Sequence, residues 1–169
     1  LANAIDTPVN NAISNWYIND ARKKLAAHDK LVIIGVTGSY GKTSTKNYLY
    51  RMLSEKYNTL ITPGNFNTTM GVVRTIREQL KPYHQVFIVE MGAKQVGDIK
   101  EICDLVHPVI GIVTSVGKMH LETFKTVENI QNTKFELIRA LPSDGLGVIN
   151  MDSEGISSYR NIPSNCKLV

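Results

Sequence analysis

The sequence predicts an α/β fold: a mostly parallel sheet flanked by helices, P-loop-like in its arrangement around a glycine-rich loop. Two observations lead there. The apolar run Leu31–Val36 passes directly into Thr37-Gly38-Ser39-Tyr40-Gly41-Lys42-Thr43 and then into a helical pattern. Beyond it, short apolar runs alternate with amphipathic stretches. Strands separated by helices are joined by crossovers, so their sheet is parallel and covered on both faces.

Each element follows from its pattern. Ile13, Tyr17, Ala21 and Leu25 recur at helical spacing and predict a helix over about residues 9–27. The strand Leu31–Val36 leads through the glycine loop into a helix from Lys42 to about Leu53. A short strand, Thr59–Ile61, is followed by a helix over Thr69–Leu80. Strand Val86–Val89, a helix over 97–106, strand Val109–Val113, a helix over 126–141 and strand Gly147–Ile149 complete the series. No internal repeat or low-complexity segment interrupts it.

Composition narrows the function classes. At 169 residues and 43% hydrophobic, the chain can bury a proper core and is read as one globular unit: residues 1–30 as an N-terminal helix and linker, residues 31–169 as the nucleotide-binding part. The net charge of +4 suits anionic small molecules, and no basic tract is dense enough for nucleic acid. The two cysteines, Cys103 and Cys166, lack metal or redox spacing, which favours a reducing, cytoplasmic setting. No apolar stretch approaches a membrane span, and no signal peptide is evident. The chain opens at Leu1 without a methionine, as a piece of something longer would.

The loop is the strongest candidate site. Gly38 and Gly41 permit tight turns, so successive N–H groups at Ser39, Tyr40, Lys42, Thr43 and Ser44 can face phosphate oxygens. Lys42 adds an ammonium, and Thr43 offers a hydroxyl to phosphate-bound magnesium. The general motif asks for glycine five places before Gly41, and Val36 stands there instead. A shorter Thr-Gly-x-x-Gly-Lys-Thr form remains.

Ligands of parallel sheets sit at the carboxyl ends of strands, which singles out the polar residues there. Glu90 ends the run Val-Phe-Ile-Val-Glu and is placed either to hold magnesium or to cap the next turn. His120 follows the strand Val109–Val113 and can ligate, shuttle a proton or simply be solvated. Asn65 and Asn67 lie in a polar stretch that could bind substrate or form ordinary turns. Lys134 is the least expected residue. It stands inside the stripe Val127, Ile130, Leu137, Ile138 and Leu141. Such a lysine either snorkels to the edge or is desolvated, and desolvation favours the neutral amine, a nucleophile able to form a carbamate with carbon dioxide.

Together, Thr37-Gly38-x-x-Gly41-Lys42-Thr43, Gly64-Asn65-Phe66-Asn67, Val89-Glu90-Met91-Gly92-Ala93, His120-Leu121-Glu122 and Lys134-Phe135-Glu136 resemble the ordered motifs of the Mur ligases. These are ATP-dependent amide-forming enzymes of bacterial cell-wall synthesis. The resemblance covers about residues 31–152 and is nearest to the branch that adds D-alanyl-D-alanine to UDP-N-acetylmuramoyl-tripeptide. It departs at Thr68, where that branch usually has a second asparagine.

The resemblance implies a central ATPase domain, incomplete at its C-terminal end, from a three-domain cytoplasmic and monomeric protein; alone it would form no amide bond. It also implies residue roles. Lys42 would bind the β- and γ-phosphates, Thr43 and Glu90 a first magnesium, and His120 with a carbamylated Lys134 a second. Lys42, His120 and Lys134 would thus be the catalytic set, with Asn65 and Asn67 near the acceptor. Other readings stay open: a ligase for another amino acid, a folylpolyglutamate-type relative, a small kinase, or a nucleotide-binding module without catalysis. A GTPase would carry Asn-Lys-x-Asp, and that run does not occur.

Overall fold

The computed structural model describes residues 2–117, 121–163 and 165–169. A long helix α1 (Ala2–Ala26) leads into strand β1 (Val32–Thr37), and the phosphate loop then opens α2 (Lys42–Ser54). Next come β2 (Thr59–Ile61), α3 (Thr69–Gln79), β3 (Val86–Glu90), α4 (Asp98–Val106) and β4 (Ile110–Val113). The remainder comprises short helices α5 (Leu121–Phe124), α6 (Val127–Lys134) and α7 (Glu136–Arg139), strand β5 (Leu146–Ile149), helix α8 (Glu154–Ser157) and strand β6 (Lys167–Leu168). The six strands lie in the order β2-β3-β1-β4-β5-β6, and every pairing is parallel. The expected parallel sheet is thus found, each pairing among the described residues being parallel.

Topology decides which face each helix covers. The connection from β1 runs outward to β2 at the edge, and every later connection runs back across the sheet. Right-handed crossovers in opposite directions put their helices on opposite faces. Accordingly α2 alone packs Leu49 and Leu53 onto the face of Ile34, Val36, Val86 and Ile88. The other face, with Ile33, Leu60, Phe87 and Val89, takes α1, α3, α4 and Leu137 of α7. A second cluster continues it around Phe124, Ile130, Phe135 and Ile138.

Three sequence expectations change. The helix expected over 126–141 is split at Phe135 (φ −78°, ψ −3°), which ends α6 and starts α7. Helix α1 begins at Ala2 rather than near residue 9, and Ile13 is 48% exposed: Tyr17, Ile18, Ala21 and Leu25 carry the packing. Finally, α5, α8 and β6 have only two to four residues, too few for periodicity to mark.

Helix α1 is tied to α3 chiefly through Arg77. Its guanidinium lies 4.2 Å from the centre of the Tyr17 ring and donates to Asp20 Oδ2 at 2.6 Å, while Lys24 Nζ donates to the Arg77 carbonyl at 2.8 Å. The ion pair is partly exposed and contributes little alone; the ring contact and the pair together are worth about 1 kcal/mol. Arg77→Ala is expected to lower stability by that amount in urea titration and to speed tryptic cleavage at Arg22–Lys24, with the sheet still intact.

Candidate nucleotide site

The carboxyl ends of β2, β3 and β1 lie side by side, and the loops leaving them, with α4 and α6, line a cavity of ≈ 420 Å³ that includes Gly38, Lys42, Asn67, Asp98, Glu101 and Lys134. Strand register accounts for this placement. Val36 is paired with Glu90 and Thr37 with Val113, so the phosphate loop starts level with the last residue of β3. Val36 is fully buried in β1, which explains why an apolar residue stands where the general loop motif has glycine.

The loop is strapped to the segment leaving β4. Ser39 N–H donates to the Ser115 carbonyl and Tyr40 N–H to Ser115 Oγ, both at 2.9 Å. Gly117 N–H donates to Ser39 Oγ at 2.9 Å, and Thr114 Oγ1 donates to the Tyr40 carbonyl at 2.5 Å. The strap leaves no room at Gly38 (φ 150°): a Cβ there would strike Thr114 Oγ1. Gly41 precedes α2 in the left-handed region (φ 81°), where glycine carries no strain. Thr45 N–H reaches the Gly41 carbonyl, so the N–H groups of Lys42, Thr43 and Ser44 form the open N-terminal turn that attracts anions. The N–H groups of Ser39 and Tyr40, expected to face phosphate, point to Ser115 instead. Lys42 Nζ curls over the loop, donating to the Gly38 carbonyl at 2.8 Å, and burial holds its pKa below the usual lysine range despite the opposing pull of Glu90.

Glu90 is 2% exposed and is met from three sides. Thr43 Oγ1 donates to Oε2 at 3.0 Å, Lys46 Nζ pairs with Oε2 at 3.0 Å, and Asn67 Nδ2 donates to Oε1 at 3.3 Å. Its own N–H donates to Thr62 Oγ1 at 3.0 Å, which fixes the strand end. Asn67 lines the cavity, and its carbonyl accepts Gly92 N–H at 2.7 Å; Asn65 is exposed and outside the lining. Thr68 has a local role: it caps α3, accepting from Gly71 N–H at 3.3 Å.

Lys134 is 4% exposed, so desolvation and not snorkelling describes it. Burial, reinforced by the charge of Lys42 across the cavity, pushes its pKa down from 10.5 to about 8, against weaker opposing pulls from Glu136 and Asp98. Glu136 is occupied elsewhere, accepting the N–H groups of Gly97 and Lys100 at the start of α4 at 2.8 and 2.9 Å. His120 lies outside the described residues. Sequence reasoning missed Lys46, Thr114 and Ser115. Lys46 was legible as the first position of the stripe Lys46, Leu49, Leu53 that α2 turns to the sheet.

Residues 36–168 match the family model of the Mur ligase middle domain. The chain belongs to the Mur ligase family. Among curated Mur ligases, the UDP-N-acetylmuramoyl-tripeptide–D-alanyl-D-alanine ligase of Mycobacterium tuberculosis is 37% identical over 132 residues, which is 78% of this chain and 26% of that protein. The Escherichia coli protein of the same name is 31% identical over 136 residues, 80% of this chain and 30% of that one. The crystal structure of the Mur ligase MurF from Thermotoga maritima in complex with ADP superposes with a TM-score of 0.83 at 33% identity, covering 92% of this chain and 35% of that chain. The chain thus spans about a quarter to a third of the length of these Mur ligases.

The Lys134 shift has a stability consequence whose sign is fixed. Unfolded, Lys134 stays charged up to about pH 10.5; folded, only up to about pH 8. The unfolded chain therefore binds more protons between those values, and stability from this group rises with pH through that window. Below pH 8 the burial penalty is complete, roughly 3 kcal/mol at most. Lys134→Met is expected to raise the melting temperature at pH 7 in degassed buffer, with the gain shrinking to nothing near pH 10.5. A gain independent of pH would contradict the desolvated lysine.

Proposed function

We propose that this chain is the ATP-binding central part of an ADP-forming amide ligase of peptidoglycan synthesis. Its reaction joins D-alanyl-D-alanine to UDP-N-acetylmuramoyl-tripeptide through an acyl phosphate. One observation carries the reading: an anion-attracting helix start with Lys42, a desolvated lysine and Asn67, whose amide holds the buried carboxylate of Glu90, converge on a single cavity at the carboxyl ends of a parallel sheet. Support for the acceptor comes from curated relatives at 31–38% identity that carry that ligase name, and support for the nucleotide from the ADP-bound neighbour. In this reading residues 1–30 form a helix and linker and residues 31–169 the nucleotide-binding unit, the remaining domains lying elsewhere in a longer, monomeric cytoplasmic protein. No described helix is long and apolar enough to cross a membrane, which agrees with soluble substrates.

Each residue then has a task. The Lys42, Thr43 and Ser44 N–H groups and the Lys42 ammonium bind the phosphates, while Gly38, Ser39, Tyr40 and Gly41 shape the loop around them. The donor set fits magnesium: Thr43 Oγ1 and Glu90 Oε2 are hard oxygen ligands 3.0 Å apart, and a hydroxyl beside a buried carboxylate is a setting the ion favours. Magnesium bound there would act as a Lewis acid on the phosphates and offset the repulsion between carboxylate and polyphosphate. Asn67 holds Glu90 in place beside the acceptor, with Asn65 on the same turn. The neutral amine of Lys134 adds to carbon dioxide and loses a proton, leaving an anionic carbamate that would hold a second magnesium with His120. The acceptor carboxylate attacks the γ-phosphorus and releases ADP; the amine of the dipeptide then attacks the acyl carbon and expels phosphate.

Two measurements test this. Lys42→Ala is expected to weaken ADP binding to the chain by at least about a hundredfold in calorimetry, since a half-buried, charge-assisted contact is lost, while the circular dichroism spectrum stays unchanged. In the longer protein, Lys134→Ala should lose most ligase activity yet keep nucleotide binding, and a short carboxylic acid should restore part of the rate. Full activity in Lys134→Arg would refute the carbamate, because a guanidinium offers no oxygen ligand.

A further inference from the structure

Lys46 is 1% exposed, and none of the roles above uses it. It lies one helical turn beyond Lys42, on the same side of α2. Its ammonium donates to the carbonyl of Thr62 at 2.9 Å and to that of Gly64 at 2.8 Å, and pairs with Glu90 Oε2 at 3.0 Å. An ammonium has three protons, and here each has an acceptor. A charge buried so deeply is tolerated only when it is fully paired, and a buried apolar side chain could fill the same space at no electrostatic cost. The three acceptors belong to separate parts of the chain. Thr62 is the residue after β2, Gly64 turns the backbone (φ 51°) toward Asn67, and Glu90 ends β3. Asn67 then returns to the other oxygen of Glu90.

We propose that Lys46 is a positioning residue: its ammonium sets the Thr62–Asn67 turn in register with Glu90, so the nucleotide half and the acceptor half of the cavity are built as one unit. The acceptor half rests on the ligase reading, whereas the contacts of Lys46 stand without it. The helix fixes Lys46 through the phosphate loop at its start, Lys46 fixes the turn, and the turn fixes Asn67 at the cavity wall. Among the described residues the Lys46 ammonium meets the loop only through Glu90 Oε2, which it shares with Thr43, while the phosphate-facing N–H groups and Lys42 do not depend on its bonds, so nucleotide binding without metal and turn placement are separable.

Lys46→Met removes all three bonds, and Lys46→Arg keeps a buried cation but spreads its donors over a planar fork. Both variants of this chain are expected to bind ADP, in chelator-containing buffer, within about twofold of the parent, because the helix-start N–H groups and Lys42 that meet the phosphates stay in place and no metal calls on Glu90. Amide exchange at residues 64–67 should rise at least about tenfold in Lys46→Met and by less in Lys46→Arg, as for other outer partners of a site. In the longer protein, KM for the UDP-linked acceptor should rise by a similar factor while KM for ATP stays put. Unchanged protection of the turn in Lys46→Met overturns the proposal. So does ADP affinity that falls in step with the protection, the mark of a merely structural lysine. If Lys46→Met does not fold, Lys46→Arg decides alone: a protected turn with parental acceptor KM overturns it. A parent chain that fails to bind ADP overturns this proposal together with the nucleotide reading, whereas ADP binding with an unaffected turn overturns only the role of Lys46.

Discussion

A carboxylate at the end of a buried strand is costly to keep unless donors meet both of its oxygens, and the site is arranged around meeting that demand for Glu90. A hydroxyl from the first turn of α2, an ammonium from its second turn and an amide from the β2–α3 turn all converge on its two oxygens. Each donor needs its own element in place, so α2, β2 and β3 must assemble together before the carboxylate can be buried. Val36 contributes by pairing with Glu90 across the sheet, and Thr62 by accepting its N–H.

The charges beyond Glu90 follow a second logic. Lys42 and Lys134 face one cavity from opposite elements, and the charge of Lys42 makes Lys134 easier to deprotonate. Lys42 has loop carbonyls to donate to, while Lys134 is buried in an apolar stripe between Ile130 and Ile138. The burden therefore falls on Lys134, whose pKa drops to about 8. Cys103 shows the same physics with the opposite sign: buried against Met91, its thiol is pushed up to about 12, which makes it a packing group and not a nucleophile.

Most of the frame was legible in the sequence because each strand is short, apolar and bounded by turns, and each longer helix turns one stripe inward. The boundaries of β2 agree to the residue, and α2 and α3 to within one. The departures have physical causes. A helix kinked at Phe135 keeps its apolar spacing across the break, so periodicity cannot report it. Residues 10–12 of α1 are exposed and carry no apolar pattern. At the site, Glu90 and Lys134 were visible because a charge in an apolar run is conspicuous. Thr114 and Ser115 were not: they act through backbone atoms of Ser39 and Tyr40, contacts that hydroxyl residues in a loop do not announce.

The strap between the phosphate loop and the segment leaving β4 bears on the thermodynamics of ligand capture. A glycine-rich loop free in solution would lose backbone entropy of about 1–2 kcal/mol per residue when it closed on an anion. Here Ser39, Tyr40 and Gly117 are already bonded across the gap, so that loss belongs to folding and not to binding. Such preorganisation makes the on-step an encounter with a finished cradle, and it places the discrimination between phosphates in the fixed spacing of the N–H groups. The same bonds tie the loop to the stretch that continues toward His120. A shift in either segment is therefore transmitted to the other through the hydrogen bonds that join Ser115 to Ser39 and Tyr40.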